Sequence, residues 1–192
     1  MKNEILDDTA LEMDGHVLIT DMDSGEVLLD KHNAINFENM SKSIAYTLIS
    51  NSEYAIKGIR YGINGSVHDP SGNISYKSPN VNDAEGALYE AVYTDTNLSF
   101  EILHLEDTHY SDIIITSILP YNLPEDQPEE DLGDQANSPY IFDEIGIING
   151  VDFDPDTNQG GDYLTHIIFH PIEKSANRRL KITYTLRVKV GG

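Results

Sequence analysis

The sequence predicts a mainly β protein, an antiparallel β-sandwich with one amphipathic helix at about residues 37–50 packed on it. Three observations carry that reading. The run Arg179–Val190 alternates strictly, with Leu180, Ile182, Tyr184, Leu186, Val188 and Val190 on one face and Lys181, Thr183, Thr185, Arg187 and Lys189 on the other. Period two over such a length marks a strand with one buried and one wet face. Tyr140–Asn149 and Tyr163–Phe169 are apolar runs separated by an Asp/Gly-rich break. With the terminal run they predict three neighbouring strands of one antiparallel sheet. Finally, a single stretch carries the helical period.

Taken in order, His16–Asp21 and Glu26–Asp30 flank Met22-Asp-Ser-Gly25, a hairpin signal. Asp21, Asp23 and Glu26 have the look of a cation site, but Asp is favoured in turns for its own backbone hydrogen bonds, which is the simpler account. Asn36 then opens the helix as its N-cap. Phe37, Met40, Ile44 and Leu48 form one apolar stripe, opposite Glu38, Ser41, Lys42, Ser43 and Thr47. Ala55–Ile63 reads as a strand, Asp69–Asn73 as a turn, Ile74–Lys77 as a brief strand and Ser78–Glu85 as a loop. The glycines at 58, 62, 65 and 72 do not make a phosphate loop, because no GxxxxGK[ST] is present and no helix follows directly.

Leu88–Thr94, Leu98–Leu105 and Asp112–Leu119 are predicted strands, the last apolar enough to be buried on both faces. Residues 120–139 hold six acids, four prolines and no base. Such a composition cannot build a core and predicts a long acidic loop. The whole of 1–192 reads as a single β-rich domain.

Charge is unevenly placed. Of 33 acids and 12 bases, residues 1–173 carry every acid and half the bases, leaving 174–192 purely basic; the net charge is −21. That balance argues against nucleic acid as a partner, since phosphate binding needs a broad basic surface. It suggests self-repelling solubility, with a basic terminal segment able to face acid on another copy. Alternatively, Lys181, Arg187 and Lys189 solvate the outer face of an edge strand. The absence of cysteine excludes a disulfide scaffold or a Cys-based site. The first residues lack the apolar region of a signal peptide, and no apolar run reaches the length of a membrane span. A soluble, cytoplasmically made chain with no membrane partner is the expectation.

Asp152, Asp154, Asp156 and Asn158 alternate as calcium ligands do, and they are the one metal candidate. Thr157 stands where a calcium loop needs Gly and Tyr163 where it needs Glu, which favours an acidic hairpin loop. The seven histidines form no metal-binding pair: His166 and His170 share a strand face about 13 Å apart, and His104 and His109 flank a turn. No nucleophile elbow GxSxG is present. Nothing here points to an enzyme, and no cofactor is expected.

The segments Gly15-His-Val-Leu-Ile-Thr-Asp21, Asp30-Lys-His-Asn-Ala-Ile35, Phe37-Glu-Asn-Met-Ser41 and Tyr61-Gly-Ile-Asn-Gly65 resemble a family of small virion structural proteins of tailed bacteriophages. Phe142-Asp-Glu-Ile-Gly146, Leu164–Ile172, Lys174-Ser-Ala-Asn-Arg178 and Ile182-Thr-Tyr-Thr-Leu186 resemble the same group. Their layout is also similar to the attachment domains of phage tail-collar fibres. The resemblance covers most of the chain in patches and assigns no catalytic residue. It implies a virion component present in many copies at the neck, tail or capsid surface, made in the host cytoplasm, whose partners are other copies of itself and other virion proteins. A capsid decoration protein and a carbohydrate- or receptor-binding β-sandwich are the alternatives. The expected assembly contacts are the 120–139 loop and the basic residues Arg178, Arg179, Arg187 and Lys189, whose charge reversal is expected to spare the isolated fold.

Overall fold

A computed structural model describes residues 11–82, 86–124 and 140–191. The acidic segment 125–139, and with it most of the predicted loop contact, lies outside the described residues.

Period-two segments become strands as expected, and they assemble into two five-stranded antiparallel sheets. The first is built from β1 (Leu11–Asp21), β2 (Val27–His32), β8 (Ser99–His104), β9 (Tyr110–Leu119) and β12 (Leu180–Val190), in the order β2-β1-β12-β9-β8. The second has β3 (Ala34–Ile35), β4 (Ile56–Ile63), β7 (Glu90–Asp95), β10 (Tyr140–Asn149) and β11 (Thr165–Lys174), in the order β3-β11-β10-β4-β7. A small hairpin, β5 (Ser66–His68) with β6 (Ile74–Tyr76), stands apart. The result is a mainly β, sandwich-like fold with one α-helix among the described residues, α1 (Phe37–Leu48).

The core lies between the sheets. Val17, Ile19, Ile115, Ile182 and Tyr184 of the first meet Ile59, Tyr61, Phe142 and Ile145 of the second in one buried cluster. Each fully buried side chain of this size stabilises by roughly 1.5–3 kcal/mol relative to an exposed one. One polar thread crosses the interior. Tyr61 Oη, on β4, lies 2.7 Å from Ser117 Oγ on β9, and Ser117 in turn donates to Asp95 Oδ2 at 2.5 Å. Burial pushes the Tyr61 phenol well up, so it is protonated and donates to Ser117.

Four strand expectations are corrected. The terminal strand does not join β10 and β11. It crosses to the other sheet, pairing with β1 from Leu11↔Val190 to Asp21↔Leu180 and with β9 from Leu180↔Leu119 to Lys189↔Tyr110. One-faced alternation suits a strand of either sheet, so long-range pairing decides. For the same reason β12 is the central strand of its sheet rather than an edge, and Lys181 and Arg187 on its basic face are exposed. The run β9 is buried on one face only, through Ile115, Ser117 and Leu119, while Ile118 stays 47% exposed. And β11 does not stop before Pro171. It passes through a bulge, between the pairs Glu144↔Ile168 and Phe142↔Ile172, where a proline is tolerated.

The helix begins as predicted, with the Asn36 side chain accepting from Asn39 N. It lies at an end of the sandwich beside the β10–β11 connection. Asn39 Nδ2 donates to the Tyr163 carbonyl, and Asn149 Nδ2 donates to Ser43 Oγ. These contacts bury Asn39, Met40 and Ser43 and rotate the apolar stripe partly outward, leaving Phe37 71% and Leu48 81% exposed.

Candidate assembly surface

The acidic and basic residues singled out in the sequence are tied to one another within the chain. Asp21 accepts from Asp23 N and Ser24 N in the β1–β2 turn and from Arg178 Nε at 2.6 Å. The Ser24 amide first, with the Arg178 guanidinium, holds its carboxyl down to about 2 against the opposing effect of burial. Next to it, Arg179 grips Asp23 through Nε at 3.0 Å and its terminal nitrogen at 2.7 Å, and its guanidinium lies over the Tyr121 ring. Tyr121 Oη also donates to Asp23. Arg187 forks onto Asp112 at 2.7 and 2.8 Å and covers the Tyr110 ring, while Lys189 reaches Glu12 at 3.2 Å. All four predicted contact residues are therefore engaged within their own chain. Arg178 and Arg179 clamp the C-terminal turn to the first hairpin. A charge reversal there would set like charges together, so it is expected to loosen this clamp rather than to spare the fold.

The 152–160 loop is organised by an arginine. Arg60, buried on β4, donates to the carbonyls of Asn158 (3.1 Å) and Gly160 (3.0 Å), to Tyr163 Oη and to Thr94 Oγ1. Its guanidinium lies against the rings of Phe153 and Tyr163. Asp154 accepts from Asp156 N and Thr157 Oγ1, an Asx turn. Gly160 has φ +76° and its missing Cβ would fall 1.9 Å from the Asp152 carbonyl, so only glycine closes this loop. The Asp152, Asp154, Asp156 and Asn158 set thus wraps a guanidinium-braced turn. Among the described residues no group of three or more His, Asp or Glu side chains converges as metal ligands would.

A second polar centre has no motif in the sequence to mark it. On the outer face of the second sheet, Glu144 Oε2 lies 2.9 Å from His166 Nε2, and both side chains are fully buried. Asn80 N donates to His166 Nδ1, so the imidazole proton sits on Nε2 and points at the carboxylate. Glu144 also accepts from Tyr89 N and Glu90 N. The adjacent Asp143 takes Gly65 N, Ser66 N and Ser66 Oγ. Gly62 makes room, since a Cβ there would fall 2.7 Å from Glu144 Oε1. Every one of these bonds is internal, so the pair acts as a tie between the sheet and the backbone at Asn80, Tyr89 and Glu90.

The described residues also expose a contiguous apolar surface. Beyond the second sheet's cover, the inner face of the first sheet runs on through Met13, Val188, Ile113 and Ile102, and α1 stands over it. Between them lies an open groove of about 640 Å³ whose lining is almost wholly apolar, with Leu48, Tyr54 and Phe100 among its walls. Its outer border is β8, all six residues of which are exposed, Phe100 at 53% and Ile102 at 70%. Leu103 and Leu105 on the opposite face are exposed as well. The signal was present in the sequence, because β8 carries apolar residues on both faces. That pattern ordinarily means burial. Comparison with family models, with curated proteins and with solved structures gives no match.

Proposed function

We propose that this chain is a structural protein that works by assembly in multiple copies, as a component of a tailed-phage virion at its neck, tail or capsid surface. The observation that carries the assembly reading is the apolar groove together with the exposed strand beside it. Contiguous apolar surface of this kind on an otherwise strongly charged protein marks a site that is covered in the working state. The polar networks support the same reading, since each is closed on itself and serves the fold. The phage placement rests on the resemblance of the quoted segments.

No helix among the described residues is long and apolar enough to cross a membrane. The test is the mass of the purified chain by light scattering across a wide concentration range. A defined oligomer supports assembly, whereas a single-chain mass at every concentration overturns it.

A further inference from the structure

We infer that β8 is the pairing edge for a second copy of this chain. In this arrangement the two β8 strands run antiparallel about a two-fold axis and join the first sheets of both copies into one. This rests on the multi-copy reading above and names the surface that carries it.

Among the described residues four strands border the two sheets, and three of them are blunted. The β2 edge has a register shift against β1 and carries Asp30 and Lys31; β7 has a shift against β4; β3 is two residues long. Bulges, charges and brevity are the usual guards against edge pairing. The β8 edge has no bulge, is six residues long and carries a single charge, Glu101. It pairs with β9 from Ser99↔Thr116 to His104↔Ser111 without a shift, and it contains neither proline nor lysine. A straight edge of this kind leaves alternate backbone N–H and C=O groups directed outward, a ready template for pairing with another strand.

Self-complementarity selects a copy as the occupant. A two-fold axis perpendicular to the sheet keeps each residue on its own face, so residues of like parity meet. Centring the pair on Ile102 sets Ile102 against its counterpart, Phe100 against His104 and Glu101 against Leu103. Centring it on Glu101 would oppose two carboxylates, which destabilises a sheet. The Ile102 register therefore places no like charges opposite one another in a protein whose net charge of −21 drives copies apart elsewhere. A six-residue ladder is short of the roughly 1,200–2,000 Å² that stable interfaces bury. The apolar side chains on the groove side add to it, because the same axis sets Phe100 and Ile102 of the two copies together at the seam.

The chain has no cysteine, so Ile102→Cys introduces a single thiol that faces its counterpart in the proposed pair. Val27→Cys, 56% exposed on the opposite edge, is the control. Under mild oxidation of the full chain, Ile102→Cys is expected to form a covalent dimer on the order of tenfold faster than the control, through its raised local concentration. Separately, Ile102→Lys is expected to lower the mass in light scattering while the circular dichroism of the folded chain keeps its wild-type shape, and the urea midpoint loses only its dependence on protein concentration. If the wild type is oligomeric but Ile102→Lys leaves its mass unchanged and the two thiols cross-link equally, the β8 assignment is overturned while the assembly reading stands. If the wild type has a single-chain mass throughout, both are overturned.

Discussion

Glu144 and His166 meet at 2.9 Å in a place no solvent reaches, with the imidazole proton directed at the carboxylate by the Asn80 amide on its far side. The two residues stand on the neighbouring strands β10 and β11. Their partners are the backbone amides of Asn80, Tyr89 and Glu90.

Removing one member of this pair leaves the other buried with bonds unmade. Glu144→Ala is expected to destabilise the fold by about 3–5 kcal/mol, as for other broken buried pairs. Adding His166→Leu to a Glu144→Leu background should cost much less than the sum of the separate changes, because the partner has already gone. Urea unfolding of the single and double variants checks both statements. A loss below about 1 kcal/mol for Glu144→Ala would show the carboxylate to be dispensable.

Acid should loosen the clamp between the first hairpin and the C-terminal turn. The folded carboxyl of Asp21 lies near 2, below its ordinary value of 3.8. A depressed acid contributes its stability above the unfolded value and loses it as the pH falls through the folded one. Roughly 2 kcal/mol is therefore expected to disappear between about pH 4 and pH 2. Asp21→Asn should lack that part of the pH dependence, and Arg178→Glu should lower the urea midpoint already at neutral pH.

Arg60→Met should release the 152–160 loop. It removes two charge-assisted hydrogen bonds to loop carbonyls and the packing of a guanidinium on Phe153 and Tyr163. A loss of about 2–3 kcal/mol is expected. Amide exchange should speed up locally from Asp152 to Gly161, with little change in β1 or β12. Uniform acceleration across the chain would mean that Arg60 supports the whole sandwich rather than the loop.

Salt separates two ways of assembling. A seam held by basic C-terminal residues facing acid on another copy weakens as salt is added. An apolar edge joining two chains of net charge −21 strengthens, because screening relieves their repulsion. Raising ionic strength from about 0.01 to 0.15 M shortens the screening length from roughly 30 to 8 Å. The fraction of oligomer seen by sedimentation is expected to rise over that interval. A fall would favour the basic seam, with Arg187 and Lys189 as the residues to reverse next.

Much of the secondary structure was legible because it is local. The Asn36 cap, the Met22–Gly25 turn and the alternation of Leu180 to Val190 each depend on neighbours in the chain, and each appears in the fold. The pairing of Arg178 with Asp21 is separated from any local signal by most of the chain. So is the reach of Arg60 to the Asn158 and Gly160 carbonyls. The acidic run from Asp152 read as a candidate for calcium because composition cannot show that its backbone is occupied by a guanidinium. Glu144 and His166 gave no motif, since their meeting depends on a hairpin register shifted by a bulge.

The sequence by itself determined that this is a cysteine-free, strongly acidic, mainly β chain with one capped helix, because periodicity and turn chemistry act over a few residues. The tertiary structure alone decided which sheet each strand joins. It also decided whether an apolar face is covered. An alternating strand such as β12 satisfies its pattern in either sheet, and only its backbone pairing with β1 and β9 places it at a centre. An apolar strand such as β8 reads alike whether buried or bare, and only the position of α1 and the extent of the second sheet leave Phe100 and Ile102 open to a partner.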